Sequence, residues 1–247
     1  MLSAIKAESR KLLTVRSTYG IIIVSLLIVA LFAGFGEGFH DTAAALRSPQ
    51  LLMGESSSAI VFVGLILAFA GLLLTGNEYR YSTIMYTLSS TNRRNKILFA
   101  KFLVISIFAI ITSIIVAFFS PLCTIVGVHL HGGTIGPQSF DYWSVIWRCV
   151  FCGWGYAMLA FILVAILRNQ IGAIVTFLLV PLIGENIITA IWKSSGKYLP
   201  FTAVQSIAEP NGLGNHTTSV HAMTVVLVYV VVGLLASAVL FARRDAN

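Results

Sequence analysis

Apolar and polar positions along this chain fall into long blocks instead of alternating with a short period. Six apolar blocks stand out, at residues 19–36, 58–76, 102–128, 145–167, 171–192 and 222–242. Each is long enough to cross a hydrocarbon core of about 30 Å as a helix. The pattern predicts an all-α membrane protein of six transmembrane helices, a single transmembrane domain over 1–247 with little chain left for a soluble one.

The polar blocks carry the finer expectations. Residues 1–18 read as an amphipathic helix, with Leu2, Ile5, Ser9, Leu12 and Leu13 near one face and Lys6, Arg10 and Lys11 on the other. That suits an interfacial helix with its cations toward anionic headgroups; a plain charged lead that sets topology is the other reading. The segment is not read as a cleavable signal peptide, because its charged lead is long and no small-x-small exit follows the first apolar run. The block 77–101 holds Arg80, Arg93, Arg94, Lys96 and Lys101 against one carboxylate, Glu78. Blocks four and five are joined only by Arg168-Asn169-Gln170, which makes them antiparallel neighbours. Within 193–221, the stretch 198–208 is too apolar for a solvated loop and too short to span. It predicts a re-entrant outer element before the last helix.

Composition and charge sharpen this picture. Hydrophobic residues make up 57% of the chain and charged residues 10%, whereas soluble domains carry about 25% charged residues. The net charge of +7 has a topological origin. With the N-terminus inside, twelve of the sixteen Lys and Arg fall in inner segments, and Arg47, Arg148, Lys193 and Lys197 fall at or near the outer side. This satisfies the positive-inside rule and predicts cytoplasmic termini. No basic surface domain exists to bind nucleic acid.

Candidate chemistry is sparse. Cys123, Cys149 and Cys152 lie in or beside apolar blocks and read as small buried residues. His129 and His131 share an outer loop without the further ligands that a metal site needs. No Walker-A motif, H-E-x-x-H or G-x-S-x-G occurs, so no catalytic residue, metal or cofactor is assigned. Glu8, Glu78, Glu209 and Asp245 read as loop or end carboxylates. Pro181 should kink the fifth span, and Gly184-Glu185-Asn186 follows one turn later. Glu185 reads either as a pathway residue or as a carboxylate near the outer interface.

The block 77–101 also carries a resemblance. Glu78-Tyr79-Arg80-x-x-Thr83, then Leu88, Arg93 and Ala100-Lys101 opening an apolar span, resembles the inner-loop signature of ABC-2 type exporter permeases. Tyr81-Ser82 stands where many relatives have a Gly before the Thr, and Thr91-Asn92 where a Pro commonly precedes the Arg. Six spans, an N-terminal interfacial helix, a short fourth-to-fifth turn and a re-entrant outer element resemble the same family.

The resemblance implies a permease subunit of an ATP-binding-cassette exporter in the cell membrane, of bacterial type. It implies a second permease copy or a related permease, and two cytosolic ATPase subunits that hold the ATP and Mg; this chain itself binds no cofactor. It places an ATPase-coupling helix near 82–90, with Thr83, Met85, Tyr86 and Leu88 as its knob and Glu78, Arg80, Arg93 and Lys101 as flanking charges. It puts the substrate path along the second and fifth helices, at Phe62, Phe69, Phe177, Glu185 and Asn186, for an amphipathic or hydrophobic substrate such as a peptide antibiotic, drug or lipid-like molecule. The alternative is a non-transporting membrane immunity or sensor subunit that binds a ligand.

Overall fold

A computed structural model describes residues 2–37, 49–81, 94–134, 141–209 and 218–243, and among these there are helices and turns but no strand. Helix α1 covers Leu2–Thr14, and α2 covers Arg16–Val29 and runs on through a π-helical stretch, Ala30–Glu37. Helices α3 (Pro49–Arg80), α4 (Arg94–Leu130) and α5 (Tyr142–Leu167) are the three longest. Helix α6 (Gln170–Leu179), a π-helical turn (Val180–Gly184) and α7 (Glu185–Ile191) form one continuous rod. A 3₁₀ turn, Lys193–Tyr198, leads to α8 (Pro200–Ala208), and α9 covers Ser219–Arg243.

Six of these helices are long and apolar enough to cross a membrane: Arg16–Phe35, Ala59–Arg80, Asn95–Leu130, Tyr142–Leu167, Gln170–Ile191 and Ser219–Leu240. The chain is a multi-pass membrane protein. The helices outrun the apolar blocks, since α3 continues to Arg80 and α4 starts at Arg94. At 37 residues α4 is about 55 Å long, well beyond the hydrocarbon thickness. Backbone hydrogen bonding carries a helix past the end of its apolar run, so hydropathy alone marks the ends too early.

Helices α3, α4 and α5 make the centre. In α5 most residues from Gly153 to Ala165 are buried. Small residues let the backbones meet: a Cβ added at Gly71 of α3 would lie 2.7 Å from the Ala157 carbonyl oxygen of α5. The α6–α7 rod and α9 lie outside this centre, with 17% of their most apolar stretches buried against 67% for α5. Their remaining surface is mostly Ile, Leu and Val, the side chains that suit lipid.

Two local devices set the connections. Val15 is extended and separates α1 from α2. Arg168 adopts the left-handed conformation, φ 53°, which ends α5, and the Asn169 side chain accepts from the Ile171 and Gly172 amides to start α6. The molecule therefore has a near end, where α1, the end of α3, the start of α4 and the α5–α6 turn meet. Its far end holds the start of α5, α7 and α8.

Candidate functional site

The near end is organised by the last turn of α3. Glu78 is 8% exposed, and its Oε1 accepts from Lys11 Nζ at 2.8 Å and Lys101 Nζ at 2.6 Å. Glu8 closes the circuit, with Oε1 accepting from Lys11 at 2.9 Å and Oε2 from Lys101 at 2.8 Å. Two carboxylates and two ammonium groups thus alternate in a ring that joins α1, α3 and α4. Lys101 is 4% exposed, so a lone charge there would be costly; the ring is what makes its burial tolerable. Burial alone would raise the Glu8 carboxyl, but Lys101 and Lys11 outweigh it and hold Glu8 below its ordinary value. For Lys11, burial opposes the charge, and the bonds from Glu78 and Glu8 overcome it and hold the amine above its ordinary value.

One residue before Glu78, Asn77 accepts from Gln170 Nε2 at 3.0 Å, which ties the same turn to the α5–α6 connection. Arg168 of that connection donates from Nη2 to the Leu240 carbonyl of α9 at 2.8 Å. Arg80 is exposed at the end of α3, its guanidinium 5.4 Å from the Tyr81 ring centroid. The stretch 82–93 follows this turn in sequence and precedes Arg94, the first residue of α4. Thr83, Met85, Tyr86, Leu88 and Arg93 lie outside the described residues. Of the eight residues expected to couple, Glu78, Arg80 and Lys101 are described, and the structure brings Glu78 and Lys101 into direct contact.

The five residues expected along a path are spread over two regions. Phe62 of α3 is exposed and stacks on Phe32 of the π-helical end of α2, with centroids 4.5 Å apart. Phe69 is half-buried against the core. Phe177 is fully buried, edge-on to Phe201 of α8 at 5.3 Å. Asn186 is exposed and turns its amide back on its own rod, donating to the carbonyls of Leu182 at 2.8 Å and Pro181 at 3.3 Å. Pro181, expected to kink this rod, lies in a π-helical turn, and the Asn186 amide donates to two carbonyls of that turn.

Glu185 is 4% exposed and caps the start of α8. Its Oε1 accepts from the Phe201 amide at 2.9 Å, and its Oε2 from the Thr202 amide at 2.7 Å and hydroxyl at 2.6 Å. Arg148 of α5 holds the other end of α8, donating from Nη1 to the Ile207 carbonyl at 3.1 Å and to the Glu209 carbonyl. Ser144 Oγ accepts from its Nε at 3.2 Å, and the Trp147 ring lies 4.5 Å from its guanidinium. A carboxylate at the helix N-terminus and a guanidinium at its C-terminus both complement the helix dipole. Pro200 opens α8 with no amide to satisfy, and Phe201, Val204 and Ile207 are buried beneath it.

Glu8 and Arg148 are the functional-site residues that sequence reasoning passed over. Besides the local partners Lys11 and Ser144, they bond Lys101 and Ile207, 93 and 59 positions away along the chain, and no local pattern marks such distant pairs. Cys149 and Cys152 are fully buried in α5, where the Cys149 thiol donates to the Ser113 carbonyl at 3.2 Å.

No protein-family model matches this chain, and no curated protein matches it.

Proposed function

We propose that this chain is the permease subunit of an ATP-binding-cassette exporter, driven by a separate cytosolic ATPase bound to the near end. The observation that carries the proposal is the ring at the root of the 82–93 stretch. Glu78 ties the end of α3 to α1 and α4, while Asn77 ties it to the α5–α6 turn. A push on 82–93 therefore reaches four helices at once and moves them as a rigid body, which is what a coupling element requires. A cationic stretch that only set topology would need no such fixed root.

In this reading the near end is cytoplasmic, 82–90 inserts into a groove on each of two ATPase subunits, and Arg80 and Arg93 fix its register by charge. The helix α1 lies on the cytoplasmic membrane surface, and α8 dips into the outer leaflet, held there by Glu185 and Arg148. A second permease copy or a relative completes the transport path. The substrate is amphipathic or hydrophobic, in keeping with the exposed apolar side chains of α3 and of the α6–α7 rod, Phe62 among them.

The test is co-purification with an ABC ATPase, followed by Arg80→Glu and Arg93→Glu. Both substitutions should abolish ATPase association and substrate-stimulated ATP turnover while leaving the chain in the membrane. Survival of both activities in both variants would overturn the coupling assignment. A chain that binds ligand and recruits no ATPase would instead be an immunity or sensor subunit.

A further inference from the structure

Towards the far end of the spans, the π-helical end of α2 and the last third of α4 leave an apolar groove of about 320 Å³ between them. Its floor is bare backbone. Gly34 and Gly127 are buried there, so close that a Cβ added at Gly127 would overlap the Gly34 carbonyl oxygen. Phe35, Leu122, Val126 and Leu130 line the same groove and are 54–69% exposed, so they stand up as its walls. No charged side chain is part of the lining.

The dimensions select the occupant. From Phe119 to Leu130 the groove follows eleven residues of α4, about 16 Å. That matches one leaflet of a hydrocarbon core of about 30 Å, and the groove runs along the helix axis as acyl chains do. A helix of that length and about 10 Å across would occupy about 1,000 Å³, roughly three times the space present. An extended peptide would bring amides and carbonyls into a lining that offers them no partner. One extended hydrocarbon chain fits by width, length and polarity. The groove also continues a surface exposed at membrane depth: Ile107, Ile111, Ile115 and Phe118 form a stripe on α4 that runs into Leu122 and Val126.

We infer that this groove binds one acyl chain of a phospholipid of the far leaflet, with the headgroup at the membrane surface beyond Leu130. The attraction is packing, because a hydrocarbon gains no hydrophobic energy on moving from lipid to protein. A chain in the groove touches protein on three sides instead of one. About ten extra atom contacts favour it about tenfold over the surrounding lipid. Phospholipid is the source because its chains surround the groove at the concentration of a solvent. The inference rests on the membrane-spanning character of the chain and not on the ATPase reading, so either can fail alone.

The experiment reconstitutes the full-length chain in dioleoyl-phosphatidylcholine vesicles with a trace of phospholipid that carries a diazirine midway along one acyl chain. After irradiation, adducts are mapped by peptide mass spectrometry. Leu122 is compared with Leu227, an exposed leucine of α9; each lies eight residues from the far end of its helix. Adducts at Leu122 should exceed those at Leu227 about tenfold. Ala30→Leu fills the groove from α2 and should bring Leu122 down to the level of Leu227, with Leu227 labelled as before. Cys123→Phe fills it from α4 and should do the same, so the test does not hang on the folding of one variant. Equal labelling of Leu122 and Leu227 in the unsubstituted chain, or an undiminished excess at Leu122 in both variants, would overturn the assignment. Low labelling at Leu122 together with an oxidative Cys123–Cys123 cross-link between two chains would also overturn it, and would give the groove to a second copy.

Discussion

Lys101 shows how a single residue can be both a liability and a joint. Its side chain is 5% exposed, and it is held by two carboxylates from two different helices. Lys101→Met leaves Glu8 and Glu78 facing each other with only Lys11 between them, and should cost about 3 kcal/mol of stability. Lys11 is 45% exposed on its side chain and its partners retain Lys101, so Lys11→Met should cost under about 1 kcal/mol. Thermal unfolding in detergent should rank the two in that order, and the reverse order would refute the ring's closure through Lys101. The pH response follows from the same groups. Glu8 titrates below its ordinary value when folded, so its contribution is complete above the ordinary carboxylate range and is lost as pH falls through the lowered value. Lys11 titrates above its ordinary value, so its contribution is complete below the ordinary lysine range and is lost as pH rises through the raised one. Stability should be flat across neutral pH and fall at both extremes; Glu8→Gln should flatten the acid fall and also reduce the alkaline one, because Glu8 is one of the two carboxylates that raise Lys11.

Helix α8 is the element whose placement depends most on others. It has nine residues, too few to be stable alone in water, and it has no side-chain cap of its own at Leu199. Glu185 from the α6–α7 rod and Arg148 from α5 supply the caps. Glu185→Gln should cost about 1–2 kcal/mol, and Arg148→Met a similar amount. The double variant should lose less than the sum, by about 1 kcal/mol, because releasing α8 from one end leaves the second cap little to hold. Strict additivity in a double-mutant cycle would mean the two ends are held independently. This element also shows the limit of sequence reading. An apolar stretch too short to span was legible at 198–208, because length and hydropathy are local properties. The partners of its ends were not, since Arg148 lies 59 residues from Ile207 and the two meet only after folding. The same limit applies to α1. Its sequence allows Leu12 and Leu13 to share an apolar face, whereas Leu12 is buried at 6% and Leu13 is 60% exposed. Which edge of the stripe faces inward is decided by the bend at Val15 and the pull of the ring.

At the scale of the molecule, the spans alternate in direction and bring residues from both ends of the sequence to the near end. Lys11 meets Glu78 there, and Arg168 meets Leu240. The six spans were legible because each is a continuous apolar run; the near-end hub was legible only at Glu78 and Lys101, within the inner-loop pattern. Reporter fusions at the two termini should report the same compartment, the one in which protease reaches residues 82–93 of the intact protein. Opposite compartments would mean that one of the six helices does not cross.

The ring of Glu8, Lys11, Glu78 and Lys101 also imposes an order on biogenesis. Residue 8 leaves the ribosome well before residue 101, and until Lys101 arrives Glu8 and Glu78 share a single ammonium group, that of Lys11. The N-terminal helix can reach its final seat only once the third span has been made and inserted. In the interfacial reading proposed above, it waits during that interval at the membrane surface, held by its apolar face and the exposed cations Lys6 and Arg10. A nascent chain stalled before residue 101 should leave α1 open to protease, and one stalled well beyond it should protect α1.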